Sequence, residues 1–196
     1  MAALKDCRRC PGMAKPVVMG EAVISPMLLV GQAPGVNEPV LGRPFAWTAG
    51  KTMFRWFQEA WDVDEKQFRS SVYMAAVCRC YPGKNPKGGD RVPDETEIEN
   101  CAAWLKAEIE INRPRLILAV GKLAIKQFVD CEKLNEVVGR LVPLRLHGQA
   151  VDLVALPHPS GASTWHRMEP GKTLLRRGLK LVREHPAFEL TFKVSV

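Results

Sequence analysis

Two polar segments follow apolar runs typical of buried strands, and both carry side chains that could do chemistry. QAPGVNEPVLGRPF (32–45) follows MLLVG, and HPSGASTWH (158–166) follows VDLVALP. A histidine at a strand end can donate a hydrogen bond to a ligand, and a glutamine can orient a water molecule. The two loops therefore predict a binding or catalytic site, although His158 could simply cap its strand.

Six cysteines form the second chemically notable group. Cys7 and Cys10 have C-x-x-C spacing, and the candidates to complete a tetrahedral thiolate set are Cys78, Cys80, Cys101 and Cys131. Cys78 and Cys80 alternate along a predicted strand and should point to opposite faces. No strand is predicted before Cys7, which argues against a redox dithiol. Four thiolates suit either zinc or a four-iron, four-sulfur cluster, and incidental thiols are the structural alternative.

Strands alternate with helices along the chain and would position both groups. Apolar runs predict strands at 27–31, 71–78, 115–121 and 151–157, and helical spacing predicts helices from 48, 94, 122 and 170. This alternation predicts a three-layer α/β/α fold around a central four-stranded parallel sheet. One domain over 1–196 is expected, whose last ten or so residues could extend as a tail. Ligands bind at the carboxyl ends of such strands, where both polar loops begin.

The charge favours a polyanionic partner without proving one. The net charge is +7, from 28 Lys and Arg against 21 Asp and Glu, but many basic proteins bind no nucleic acid. No apolar stretch reaches the length of a membrane span, and the N-terminus lacks a signal-peptide core. We therefore expect a cytoplasmic monomer with no membrane partner.

The motifs occur together in an order that resembles the family 4 uracil-DNA glycosylases, the iron–sulfur branch of the uracil-DNA glycosylase superfamily. They are the C-x-x-C pair, GQAPGVNEPVLGRPFAWTAG, VYMAAVCRCYP, INRPRLILAVG and PHPS, and the resemblance covers residues 7 to about 182. It implies a monofunctional DNA glycosylase of base-excision repair, associated with the nucleoid. Such an enzyme flips a deaminated base, uracil foremost, out of single- or double-stranded DNA.

The resemblance also implies roles for individual residues. His158 would donate to a carbonyl oxygen of the leaving base, Phe45 would stack on the flipped base, and Gln32 would orient the attacking water. The implied base-binding set is Gly31, Gln32, Ala33, Phe45, Ala76 and His158. A four-iron, four-sulfur cluster would be held by Cys7, Cys10, Cys80 and Cys101, with zinc as the alternative.

The loop after His158 is expected to press on the DNA. Its implied contacts are Ser160, Gly161, Ala162, Ser163, Trp165 and Arg167. Trp165 could fill the space left by the flipped base, or it could be a core tryptophan. Further candidate contacts are His166, Lys84, Lys87 and Arg91.

Two departures from the family pattern concern the substrate. Gln32 stands where the family has glutamate, so we expect slower chemistry. Ala76 stands where the family has an asparagine that reads the edge of uracil, so discrimination by hydrogen bonding should be weaker. The alternatives are therefore a glycosylase for another or bulkier modified base, or a non-cleaving protein that binds DNA or a damaged base.

Overall fold

The computed structural model describes residues 2–192. The strands are β1 (Met27–Gly31), β2 (Tyr73–Ala76), β3 (Leu116–Val120), β4 (Leu141–Leu146) and β5 (Gln149–Leu156). The helices are α1 (Ala2–Lys5), α2 (Glu38–Leu41), α3 (Thr48–Trp61), α4 (Glu65–Ser71), α5 (Glu95–Asn112), α6 (Lys122–Lys126), α7 (Gly171–Glu184) and α8 (Pro186–Phe192). Short 3-10 helices lie at Leu134–Glu136 and Trp165–Arg167.

The strands form one sheet in the order β2-β1-β3-β5-β4. The four predicted strands pair in parallel, as expected, and β4 adds a fifth, antiparallel strand on β5. The sequence analysis missed β4 because its residues alternate between exposed and half-buried and include Pro143, which suits an edge strand. His147 and Gly148, both with positive φ, form the hairpin turn between β4 and β5.

Helices cover both faces of the sheet, which confirms the predicted α/β/α architecture. Alternate residues of β3 enter two separate cores: Ile117 packs in the cluster that contains Leu105 of α5, and Leu118 packs in the cluster that contains Phe57 of α3. A hydrogen bond of 2.9 Å from Nε1 of Trp61 to the carbonyl of Leu179 links α3 to α7. Within residues 2–192, no helix is long and apolar enough to cross a membrane.

A helix, α8, lies where the sequence analysis predicted that a tail could begin. α8 follows α7, and Ala187, Phe188 and Phe192 are buried in the core beside α3 and α4. The expected tail therefore does not begin near residue 187, and residues 193–196 lie outside the described residues. The helix was missed because seven residues are too few for a clear helical period.

Candidate functional site

A cavity of about 440 Å³ opens at the carboxyl ends of the parallel strands. The register pairs Gly31 with Ala76, so the loops that follow β1 and β2 start side by side. All six residues of the implied base-binding set line this cavity: Gly31, Gln32, Ala33, Phe45, Ala76 and His158. The structure therefore brings the two polar loops together, as their positions after buried strands predicted.

Phe45 lies at the cavity wall in a backbone conformation that its surroundings enforce. Its φ is 53°, in the left-handed region that a bulky residue rarely adopts. The guanidinium of Arg69 on α4 donates to the carbonyls of Pro44 at 2.9 Å and Phe45 at 3.0 Å. Gly50 of α3 lies so close that a Cβ there would be 1.7 Å from the carbonyl oxygen of Phe45. These contacts hold the backbone of Phe45 in place and so determine where its ring lies.

A buried carboxylate organises the loop that leads to Phe45. Glu38 accepts hydrogen bonds from the backbone N–H groups of Gly35 at 3.2 Å and Ala46 at 3.0 Å. Burial raises the pKa of Glu38, and these two donors oppose the rise by stabilising the charged form. The sequence analysis missed both Glu38 and Arg69, because their main partners are backbone atoms that no side-chain motif reveals.

His158 follows β5, and one nitrogen of its ring already accepts a hydrogen bond. Its Nδ1 accepts a hydrogen bond of 3.3 Å from the N–H of Ser160. Burial, and secondarily the charge of His166, lowers the pKa of His158. A neutral ring whose Nδ1 accepts must carry its proton on Nε2, so that this nitrogen is a donor.

The His158 ring rests on Gly121, a residue whose conformation only glycine tolerates well. A Cβ at Gly121 would be 3.0 Å from Cδ2 of His158, and the φ of Gly121 is 87°. The loop after β3 therefore supports the imidazole from beneath. The motif that ends at Gly121 gives no sign in sequence of this contact with His158.

Ala76 offers only a methyl group to the cavity, and a buried arginine lies behind it. Arg79 donates to the carbonyl of Ala76 and forms an ion pair with Glu108, which also accepts from the hydroxyl of Tyr73 at 2.7 Å. Arg79 lines both the large cavity and a second, smaller cavity that contains cysteines. It thus connects the two predicted sites.

The predicted DNA-contact residues separate into two groups. Ser160 and Ala162 line the mouth of the cavity, and Gly161, Ser163 and Arg167 of the segment after β5 are at least partly exposed. In the loop between β2 and α5, Lys84 and Lys87 are exposed, whereas Arg91 is held in an ion pair with Glu97. The first group and the two lysines are accessible to DNA.

Two aromatic residues of the loop after β5, Trp165 and His166, are largely buried rather than exposed. Trp165 is half-buried, packs against the core and lies against Gly171 at the start of α7. Its position favours the core interpretation over insertion into DNA. His166 is buried edge-to-face on Trp56, with 5.0 Å between ring centroids, so the expectation of a phosphate contact from His166 was wrong.

The four cysteines implied by the resemblance line the second cavity: Cys7, Cys10, Cys80 and Cys101. All cysteines of the described chain are free thiols. In residues 2–192, no three His, Cys, Asp or Glu side chains are arranged to hold a metal ion, so the ligand set stays a prediction.

Cys78 lies close to the same group. A hydrogen bond from the Cys78 thiol lowers the pKa of Cys101, and burial partly opposes this effect. Strand β2 ends at Ala76, so the strand alternation that should separate Cys78 from Cys80 does not apply. Both cysteines are buried beyond the end of the strand.

Comparison with known proteins agrees with this architecture. The family model described as the uracil DNA glycosylase superfamily matches residues 20–180. A type-4 uracil-DNA glycosylase of Pyrobaculum aerophilum is 31% identical over 165 residues, which cover 80% of this chain and 79% of that protein. A type-4 uracil-DNA glycosylase of Saccharolobus solfataricus is 28% identical over 167 residues, which cover 81% of this chain and 73% of that protein. The chain therefore belongs to the uracil DNA glycosylase superfamily.

Proposed function

We propose that this protein is a monofunctional DNA glycosylase that removes a flipped, deaminated base, uracil foremost, in base-excision repair. One observation supports this proposal most directly. Phe45 and His158 come from loops that are far apart in sequence, yet both line one cavity at the carboxyl edge of the sheet. An aromatic face and a fixed hydrogen-bond donor are what a planar, carbonyl-bearing base requires.

The reaction is a hydrolysis in which the bond between C1′ of deoxyribose and the base nitrogen breaks. The bonding electrons leave with the base, and the oxygen of water bonds to C1′. The proton that this oxygen loses passes to solvent water, and the released base anion takes up a proton from solvent. The Nε2–H of neutral His158 donates to the carbonyl oxygen on which negative charge develops. A preorganised donor of this kind lowers the barrier by about 3 kcal/mol.

Phe45 and Gln32 position the two reactants. Stacking on an aromatic ring contributes about 1–3 kcal/mol per base, which helps to keep the flipped base in the cavity. The amide of Gln32 orients water but does not remove its proton, so the strongly electrophilic sugar must accept a neutral nucleophile. Ser160 and Ala162, at the cavity mouth, have small side chains that let the backbone of this loop approach a DNA phosphate.

A second candidate substrate is another or bulkier modified base. Ala76 supplies no hydrogen-bonding group at the wall where the resemblance implies an asparagine amide. A smaller side chain also leaves room for an additional substituent. The chemistry assigned to His158 is the same for either substrate, because it requires only a carbonyl oxygen on the leaving base.

The four free thiols that line the second cavity have the ligand chemistry that a four-iron, four-sulfur cluster requires. When bound through Cys7, Cys10, Cys80 and Cys101, such a cluster would supply structural cross-linking between the N-terminal arm, the segment after β2 and α5. Zinc is the alternative for the same ligands. Iron, sulfide and zinc analysis of purified protein distinguishes them, with Cys101→Ser expected to lose the metal and Cys131→Ser to retain it.

The substrate assignment is tested on oligonucleotides that each contain one altered base. Incubation with the protein should convert a uracil strand into an alkali-labile abasic strand and release free uracil. If only a bulkier modified base is released, the second candidate is correct. If no strand becomes alkali-labile although the protein binds it, the protein is a binding module and the glycosylase proposal fails.

A further inference from the structure

Trp47 is a large aromatic side chain exposed at the mouth of the base cavity. It is 50% exposed and lines the cavity together with Thr48 and Ala49 of the adjoining first turn of α3. Among the tryptophans, Trp61 is buried and Trp165 is packed against the core. The proposed base chemistry uses Phe45, inside the cavity, and leaves Trp47 without a role.

A lysine lies over the same ring. Nζ of Lys51 is 5.7 Å from the centroid of Trp47, and the backbone N–H of Lys51 donates to the carbonyl of Trp47 at 3.0 Å. Lys51 is exposed, so its ammonium group is available to a ligand. The pair therefore presents an aromatic face and a positive charge at the start of a fourteen-residue helix.

The exposed apolar surface continues along the rim. Val36, which is 44% exposed, lines the same cavity from the loop that follows β1. Trp47 and Val36 thus extend the apolar wall that begins inside the cavity with Phe45 out to the surface. An apolar rim with an adjacent cation suits a nucleotide, which has a flat base and an anionic phosphate.

We propose that Trp47 stacks on the base next to the flipped one and that Lys51 contacts the phosphate of that neighbouring nucleotide. The inference rests on the proposed function, because it places the flipped base itself between Phe45 and His158. Stacking at the rim would hold the DNA strand in the orientation that presents the target base to the cavity. Because every base has a flat aromatic face, this contact would be independent of sequence.

The test compares Trp47→Ala with Trp47→Phe on a single-stranded oligonucleotide that carries the excised base. Trp47→Ala should raise KM and the dissociation constant for DNA about tenfold, whereas kcat at saturating DNA changes less than about twofold. Trp47→Phe should restore most of the affinity, because it keeps an aromatic face. Ile111→Ala, at an exposed apolar site on α5, is the matched control and should match wild type.

Truncated substrates locate the contact. Two oligonucleotides that end at the target base, one without a 5′ neighbour and one without a 3′ neighbour, are compared. The penalty of Trp47→Ala should vanish on one of them, because the stacked nucleotide is missing there. An equal penalty on both would overturn the proposal, since the tryptophan would then act on the flipped base or on the fold.

Lys51 has its own readout. Lys51→Ala should reduce the slope of log affinity against log salt concentration by about 1, as expected for the loss of one phosphate contact. Lys180→Ala, on the exposed face of α7, should leave the slope unchanged. An unchanged slope for Lys51→Ala would remove Lys51 from the contact.

These outcomes separate the inference from the proposed function. If wild type releases no base, the proposed function fails, yet the affinity measurements still test stacking on DNA. If wild type excises and Trp47→Ala binds and excises like wild type, only the inference fails. A variant that instead changes the oligomeric state with unaltered DNA affinity would assign Trp47 to contact with a second copy of the chain.

Discussion

The ring of Phe45 lies directly against the backbone of Gly31, with no room for a side chain between them. A Cβ placed on Gly31 would be 2.8 Å from two carbons of the ring, closer than real contacts allow. Gly31 is the last residue of β1, so the sheet itself forms the surface on which the aromatic ring rests. The position of the Phe45 ring thus depends on the absence of a methyl group at Gly31.

Gly31→Ala should therefore displace Phe45 and weaken base binding without unfolding the protein. We expect kcat/KM for base excision to fall about tenfold, equivalent to the loss of a stacking contact. Gly12→Ala, where a Cβ would meet nothing within 4 Å, is the matched control. Equal kcat/KM for Gly31→Ala and wild type would show that the ring position does not matter.

The pH dependence of excision should report the protonation of His158. Burial lowers its pKa below the ordinary value of 6.5, so the neutral, Nε2–H form prevails at neutral pH. The rate should be flat near pH 7 and fall only as the pH drops below 6.5, where Nδ1 gains a proton and faces the N–H of Ser160. His158→Asn should lower the plateau by about 10²- to 10³-fold.

The check is the profile of kcat/KM against pH for both proteins. His158→Asn should lose the acid limb that wild type shows. A wild-type rate that increases toward low pH would contradict the account, because it would mean that the charged imidazole is the active form.

The sequence predicted the parallel strands and the meeting of the two polar loops because both follow from local patterns. Buried parallel strands are continuous apolar runs, and parallel strands place their carboxyl ends at one edge, so His158 and Gln32 had to converge. Strand β4 escaped detection because an edge strand keeps exposed residues and tolerates Pro143. Hydrophobic periodicity therefore could not predict an edge strand such as β4.

The tryptophans show what local patterns leave out. Trp165 lies beside small residues in a polar loop, a context that suggested DNA contact, yet Gly171 of α7 provides the space in which it packs. Trp47 immediately precedes α3, whose buried residues include Met53, Phe57 and Trp61, and its own exposure depends on how the helix is oriented and on the cavity beside it. Whether a single aromatic side chain is buried depends on tertiary packing, which local sequence patterns do not contain.

Arg69 should act on catalysis through Phe45. Its guanidinium holds the carbonyls of Pro44 and Phe45, so Arg69→Met should release the loop and lower kcat/KM as well as stability. Added to Phe45→Ala, the same substitution should cost little more activity, because the ring that it positions is already gone. A double-mutant cycle on kcat/KM measures this coupling.

Full additivity of Arg69→Met and Phe45→Ala would contradict the positioning role. Thermal unfolding of each variant separates the effect on folding from the effect on the loop. Lys180→Ala, on the exposed face of α7, provides a charge-removing control.

Ala76→Asn should restore discrimination at the cavity wall. An amide at the end of β2 can read the hydrogen-bonding edge of the base, which a methyl group cannot do. We expect the ratio of kcat/KM for uracil over the other excised bases to rise about tenfold or more. Ala162→Asn, at the mouth of the same cavity, is the control; if Ala76→Asn leaves the ratio unchanged, Ala76 does not face the base edge.

The central claim is that a base is excised between Phe45 and His158, and single-turnover kinetics with excess protein test it most directly. Each strand carries one uracil, and the abasic product is followed for wild type, Phe45→Ala, His158→Asn and Ile111→Ala. The account predicts excision by wild type and Ile111→Ala, with rates at least about tenfold lower in the two cavity variants. Equal rates in all four proteins, or no excision by wild type, would contradict it.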